Sequence, residues 1–181
     1  MGEKTLDQAK GTAFGPATDG IDHVNVYSRA RTAAGRLLSN FARTPFVLDG
    51  VRFESVEGFY HSMLVEEDAL RLEIAALWGR EAKAWGKKAG KRPGDPVWTW
   101  DGRVVPFDGK EFMHEFARAL RAKCEQNADV RQALLSTGTL PLTHYYVMFG
   151  RPVHPRGETG FFVACLTALR RELAERTAAV D

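Results

Sequence analysis

Apolar and polar positions alternate over His23-Val24-Asn25-Val26-Tyr27, the period of two that predicts a short strand. Two more β-prone runs, Phe46-Val47-Leu48 and Val51-Arg52-Phe53, flank Asp49-Gly50. A type I′ turn needs positive φ at both central residues, so Asp-Gly between such runs predicts a hairpin. Ser55 then stands where a helix cap is needed, with Glu57 in the first turn and Phe59, Tyr60, Met63 and Leu64 following. Further helices are predicted over 68–78 and 80–89. Residues 91–108 hold Pro93, Gly94, Pro96, Gly102 and Pro106 and read as a long loop with one short hairpin. Phe112, Phe116, Leu120 and Cys124 recur every fourth position and predict a helix over 109–126. A shorter helix over 129–136 closes at Gly138. Residues 145–149 read as a buried strand or extended loop, and 150–157 as a loop. The last helix, 159–176, carries Phe162, Cys165, Leu166, Leu169 and Leu173 on one face. The fold class expected is α+β: a mostly helical single domain with a small N-terminal antiparallel sheet. Residues 21–177 form that domain, and residues 1–20 a loose arm.

The 181 residues suffice to bury one core. Lys and Arg number 25 against 23 Asp and Glu, a net charge of +2, too balanced to announce a nucleic-acid or membrane-surface binder. Cys124 and Cys165 fall on apolar helix faces and read as two buried free thiols. The N-terminal segment has no apolar core, and no run approaches membrane-span length, so a cytoplasmic protein is expected.

The five histidines (His23, His61, His114, His144, His154) show no HExxH or paired-cysteine spacing. Walker, GxGxxG and GxSxG patterns are absent too. These absences argue against common zinc hydrolases, P-loop enzymes, Rossmann oxidoreductases and serine hydrolases. Neither metal nor redox cofactor is expected.

A string of local matches remains. Gly35-Arg-Leu-Leu-Ser39-Asn40-Phe41 precedes the hairpin, and Ser55-Val-Glu57-Gly-Phe-Tyr60-His follows it. Then come Ala84-Trp85-Gly86-Lys87, Ala119-Leu-Arg-Ala-Lys-Cys-Glu-Gln-Asn127 and Leu134-Leu-Ser-Thr-Gly138. In this order and spacing the chain resembles the NADAR/YbiA-like family over residues 27–173. The resemblance implies a YbiA-like fold and hydrolysis of N-glycosidic bonds of ribosyl compounds, such as ADP-ribose on guanine bases or early riboflavin-pathway intermediates. That chemistry passes through an oxocarbenium-like centre at C1′ and needs a carboxylate beside it.

Glu57 matches the family's helix glutamate and is the first candidate for that carboxylate. Ser39 and Asn40 match the Ser-Asn-Phe turn and are candidates to contact ribose or phosphate, with Phe41 beside them. Arg36 and Lys87 are candidate phosphate ligands. Tyr60, Trp85, Tyr146 and Phe149 are candidate base or wall contacts. His144 is a candidate proton donor to the leaving base, its unperturbed pKa lying near ~6.5. Trp98 and Trp100 either cover a core or form a lid. Each has a plainer reading: a helix-dipole glutamate, a hydrogen-bonded turn, solvated cations, core aromatics.

The chain also departs from the family pattern. Gly58 replaces a histidine, Leu64 a lysine, and Tyr146 or Val147 stands where an acid precedes the aromatic-Gly pair, here Phe149-Gly150. Glu158 is near enough in sequence to replace that acid. A changed substrate predicts that the altered positions line one pocket wall with Ser39, Asn40 and Glu57. Two readings compete with the hydrolase: a binding module for a nucleotide or ADP-ribose-like ligand, and a ribosyl-transferring or lyase-like enzyme. The expected partner is a small ribosyl or nucleotide compound, with nucleic acid only as carrier of a modified base.

Overall fold

The computed structural model describes residues 14–89, 97–100, 103–106, 110–149, 151–155 and 159–179. The fold is α+β and mostly helical. In chain order the elements are β1 (Val24–Asn25), α1 (Ala33–Leu38), β2 (Phe46–Leu48), β3 (Val51–Phe53), α2 (Val56–Ser62), α3 (Asp68–Ala75) and α4 (Gly79–Ala89). They continue with β4 (Val97–Trp100), β5 (Arg103–Pro106), α5 (Lys110–Gln126), α6 (Ala128–Ser136), β6 (Leu142–Thr143), β7 (Tyr146–Met148), β8 (Arg151–Val153) and α7 (Thr159–Ala178).

The β2–β3 hairpin forms as the Asp-Gly signal predicts. Its pairs are antiparallel, and Asp49 and Gly50 both take positive φ, 50° and 80°. Phe46, Phe53 and Phe59 stack inside it, Phe53 meeting Phe59 edge-on at 5.2 Å. Arg118 of α5 ties the turn down, reaching both Asp49 carboxylate oxygens and the buried Glu115. The core runs from this hairpin through α2, α5 and α6 to Phe162, Leu166, Leu169 and Leu173 of α7.

Three local patterns differ from expectation. Helix α1 is short, and its signal is the cap at Thr32, whose side chain accepts from Gly35 N–H. Residues 151–153, expected to be loop, form β8 and pair with β7, so the aromatic segment ends in a hairpin. Among the described residues the strands form not one N-terminal sheet but four two-stranded ladders, and β1 pairs β6 in parallel. The Asn25 side chain extends that parallel ladder by bonding Tyr145 N–H and C=O.

Residues 14–20, expected within the loose arm, pack on the body instead; residues 1–13 lie outside the described set. The physical reason is Asp19, 2% exposed, whose carboxylate accepts from the backbone N–H groups of Asn25 and Arg31. Within the segment expected to hold a short hairpin, β4 and β5 pair antiparallel, while the Trp98 and Trp100 side chains lie outside the described set. Cys124 is buried and Cys165 half-buried, both as free thiols. Among the described residues no helix is long and apolar enough to cross a membrane.

Candidate functional site

The Ser39-Asn40-Phe41 turn is held from below by α5. The Lys123 side chain is wholly buried, and its ammonium donates to the carbonyls of Leu38 (3.1 Å) and Ser39 (2.8 Å). Burial pushes its pKa down to about 8. One turn on, the Gln126 amide bonds both N–H and C=O of Val47, and Asn127 donates to Pro45 O. The Ala119–Asn127 motif is therefore a clamp on the backbone of residues 38–47. Ser39 is buried, and its hydroxyl accepts from Phe41 N–H at 3.3 Å, so it shapes the turn. Asn40 O accepts from Glu57 N–H at 3.0 Å, fastening the turn to α2. Asn40 Oδ1 is buried without a hydrogen-bond partner.

Helix α2 starts at Ser55, which accepts from Gly58 N–H and donates to Leu77 O. Glu57 follows in the first turn, and its side chain is only 13% exposed. One carboxylate oxygen pairs with His61 Nε2 at 3.1 Å, one helical turn along. The carboxylate also lies near enough to His144 to favour that ring's protonated form. Burial outweighs this and holds the His144 pKa below its ordinary value, with the Lys83 ammonium pushing the same way. His144 Nδ1–H donates to Val26 O at 2.7 Å, which leaves Nε2 with a lone pair. Tyr27 and Phe162 pack edge-on to the ring, both at 5.9 Å.

The cations divide differently from the sequence expectation. Arg36 donates to the carbonyls of Ala30 and Arg31 (2.8 and 2.7 Å), so its guanidinium holds its own turn. The Lys87 side chain lies outside the described set. Lys83, one turn earlier on α4, sits 5.4 Å from the Phe41 ring and acts on His144. An open cleft of about 380 Å³ adjoins Phe41, lined also by Ser28, Arg29, Trp78, Arg80 and Glu81. Among the described residues neither Arg29 nor Arg80 is tied to a carboxylate.

The remaining candidates scatter. Tyr60 packs edge-on against Phe112 and Phe116 of α5, towards the core. Trp85 is partly exposed under the Lys88 ammonium. Tyr146 is half-buried in β7. Phe149 sits at the hairpin tip, 97% exposed, at φ 48°. Gly58 does not face a pocket with Ser39 and Asn40. It is buried at the α2–α3 crossing, where a Cβ would lie 2.6 Å from Leu77 O. Leu64 packs half-buried against the core. Thus Glu57, His144, Phe41 and the Ser39-Asn40 backbone come together, and the expected wall of altered positions does not form. Glu158 lies outside the described set. Sequence reading missed His61, Lys83 and Lys123; the Glu57-to-His61 spacing of one helical turn was the available signal for the first. Among the described residues no group of three His, Cys, Asp or Glu side chains is placed to hold a metal ion.

Residues 31–152 match the family described as bacteriophage protein GP30.3. A 17.1 kDa protein from the Gp30–rIII intergenic region of Enterobacteria phage T4, described as uncharacterized, is 30% identical over 109 residues. That span is 59% of this chain and 70% of the phage protein. The NMR structure of the E. coli protein YbiA matches with a TM-score of 0.60 and 22% identity, covering 89% of this chain and 94% of that one.

Proposed function

The chain belongs to the bacteriophage GP30.3 protein family, a family of NADAR type with a YbiA-like fold, and from that premise we propose that it is an N-glycosidase. Its reaction is hydrolysis of a ribose C1′–N bond in a ribosylated or nucleotide-like compound. The observation that carries this reading is the placement of Glu57. Its backbone is fastened to Asn40, one carboxylate oxygen is held by His61, and the group sits within electrostatic range of His144, on which Lys83 also acts.

In the proposed reaction the C1′–N bond breaks and the base keeps the electron pair. Positive charge develops at C1′, and the Glu57 carboxylate offsets it. Water attacks C1′, and Glu57 takes its proton as the C–O bond forms. That proton passes to the leaving nitrogen, which returns the carboxylate to its starting state. A ring whose Nδ1–H is engaged and whose pKa is depressed is neutral near pH 7. His144 therefore serves as a hydrogen-bond acceptor for a ligand hydroxyl or N–H, not as the proton donor. The cleft beside Phe41, with Arg29 and Arg80, replaces Arg36 as the place for a phosphate.

The test is a panel of N-ribosyl compounds, with and without phosphates, followed by mass spectrometry for free base and reducing sugar. Stoichiometric release of both supports the reading. Binding of panel members without release would support a binding module instead.

A further inference from the structure

The Glu57 carboxylate is part-buried beside one imidazole, and the surroundings of that imidazole leave it a single arrangement. Glu57 and His61 share a face of α2 one turn apart, and His61 is 9% exposed. The His61 ring rests directly on Gly86 of α4. A Cβ on Gly86 would fall 1.9 Å from Nδ1 and 2.1 Å from Cγ. Tyr60 closes another side, edge-on with ring centroids 4.9 Å apart. His61 Nδ1 is buried with no hydrogen-bond partner, so a proton on that nitrogen would be left unsatisfied. An ionised carboxylate only accepts, so the proton belongs on Nε2, donated to Glu57 Oε1. The second carboxylate oxygen accepts no hydrogen bond among the described residues.

We infer that His61, seated on Gly86, is a positioning residue that fixes the Glu57 carboxylate through Oε1 and leaves Oε2 to face the substrate. This inference rests on Glu57 being the reactive carboxylate. It gives Gly86 a function: only a residue without Cβ lets α4 approach closely enough to back the ring. It also accounts for the Trp85-Gly86-Lys87 match, in which the glycine matters more than its neighbours. The device is a specific one, since a carboxylate free to rotate between two oxygens would lose the alignment that a short-lived cationic centre requires.

Two kinds of measurement test it. The first needs no activity. Gly86→Ala should lower the thermal midpoint by several degrees, and adding His61→Ala to it should recover part of the loss, because the overlap needs both side chains. Nitrogen-15 spectra of the histidine rings should show His61 as the Nε2–H tautomer near pH 7. Additive or worse destabilisation in the double variant, or an Nδ1–H tautomer, would overturn the arrangement. The second uses turnover of whichever ribosyl compound the panel identifies. His61→Leu should lower kcat about 10-fold or more with KM changed less than about 3-fold, and His61→Gln, which keeps a donor, should restore part of it. Wild-type kcat in His61→Leu would overturn the positioning role. A chain that turns over no ribosyl compound, yet shows the double-variant recovery and the tautomer, would locate the failure in the glycosidase reading and not in the geometry.

Discussion

The Lys123 ammonium lies 2.8 Å from the Ser39 carbonyl oxygen, and through Ser39 and Asn40 it fixes the turn on which the Glu57 backbone hangs. A fully buried cation whose partners among the described residues are carbonyls carries a large desolvation cost, and this shows as its depressed pKa. The unfolded chain takes up the proton at higher pH than the folded one. Folding is therefore penalised below the folded value of about 8, and the penalty fades as pH rises toward 10.5. The stability of the wild type relative to Lys123→Met should rise by about 2 kcal/mol between pH 7.5 and 10 in urea titrations. Cys124, whose pKa burial raises to about 11, opposes this trend in both proteins, which is why the difference is the quantity to follow. A flat difference across that range would show that Lys123 keeps its ordinary pKa in the folded protein and is poorly buried.

Gly58 supplies a second stability prediction. Its missing Cβ points at backbone, the Leu77 and Ile74 carbonyls, which cannot swing aside as a flexible side chain can. Gly58→Ala should cost about 1–3 kcal/mol by chemical denaturation despite the higher helix propensity of alanine. A neutral or stabilising effect would mean that α2 and α3 are not packed this closely.

How much of this was written in the sequence depends on the range of the interaction. The Asp49-Gly50 hairpin, the Ser55 cap and the four-residue period of α5 are local signals, and the structure repeats them. The Asp19 carboxylate, the Lys123 grip and the Gly86 contact join residues that only tertiary packing brings together. A polar residue among polar neighbours, such as Asp19, gives no local hint that it will be buried. Gly58 misled for the same reason: one missing side chain reads equally well as room for a ligand or as room for a helix. Arg36 carries the right charge for a phosphate, but nearby carbonyls claim it, and no pattern of residue types reveals that.

His144 gives a pH dependence of definite sign. Its folded pKa is below 6.5, so the unfolded state binds the proton first. The stability it contributes is present above about pH 6.5 and is lost as pH falls through the folded value. Glu57, Lys83 and His154 are the charged or titratable groups that act on it. Wild-type stability relative to His144→Asn should decline between pH 7 and 5, read from thermal midpoints. An increase over that interval would mean that the ring is held protonated and would reinstate it as a proton donor.

The phosphate cleft is tested by charge. Arg29→Ala with Arg80→Ala should weaken binding of a phosphorylated ribosyl ligand about 10-fold or more and leave its unphosphorylated counterpart nearly unchanged, by calorimetric titration. Arg36→Ala should leave both affinities near wild type. Equal losses for the two ligands, or a selective loss in Arg36→Ala, would place the phosphate elsewhere.

The most direct test of the central claim is the turnover of Glu57→Gln on the ribosyl compound the panel identifies. Glutamine keeps the shape and can still meet His61, but it lacks the negative charge that an oxocarbenium-like centre needs. The expected result is a folded variant of near wild-type thermal midpoint that still binds the compound, with kcat reduced about 10²–10³-fold. Wild-type-like release of base and sugar by Glu57→Gln would contradict the assignment of Glu57 as the catalytic carboxylate.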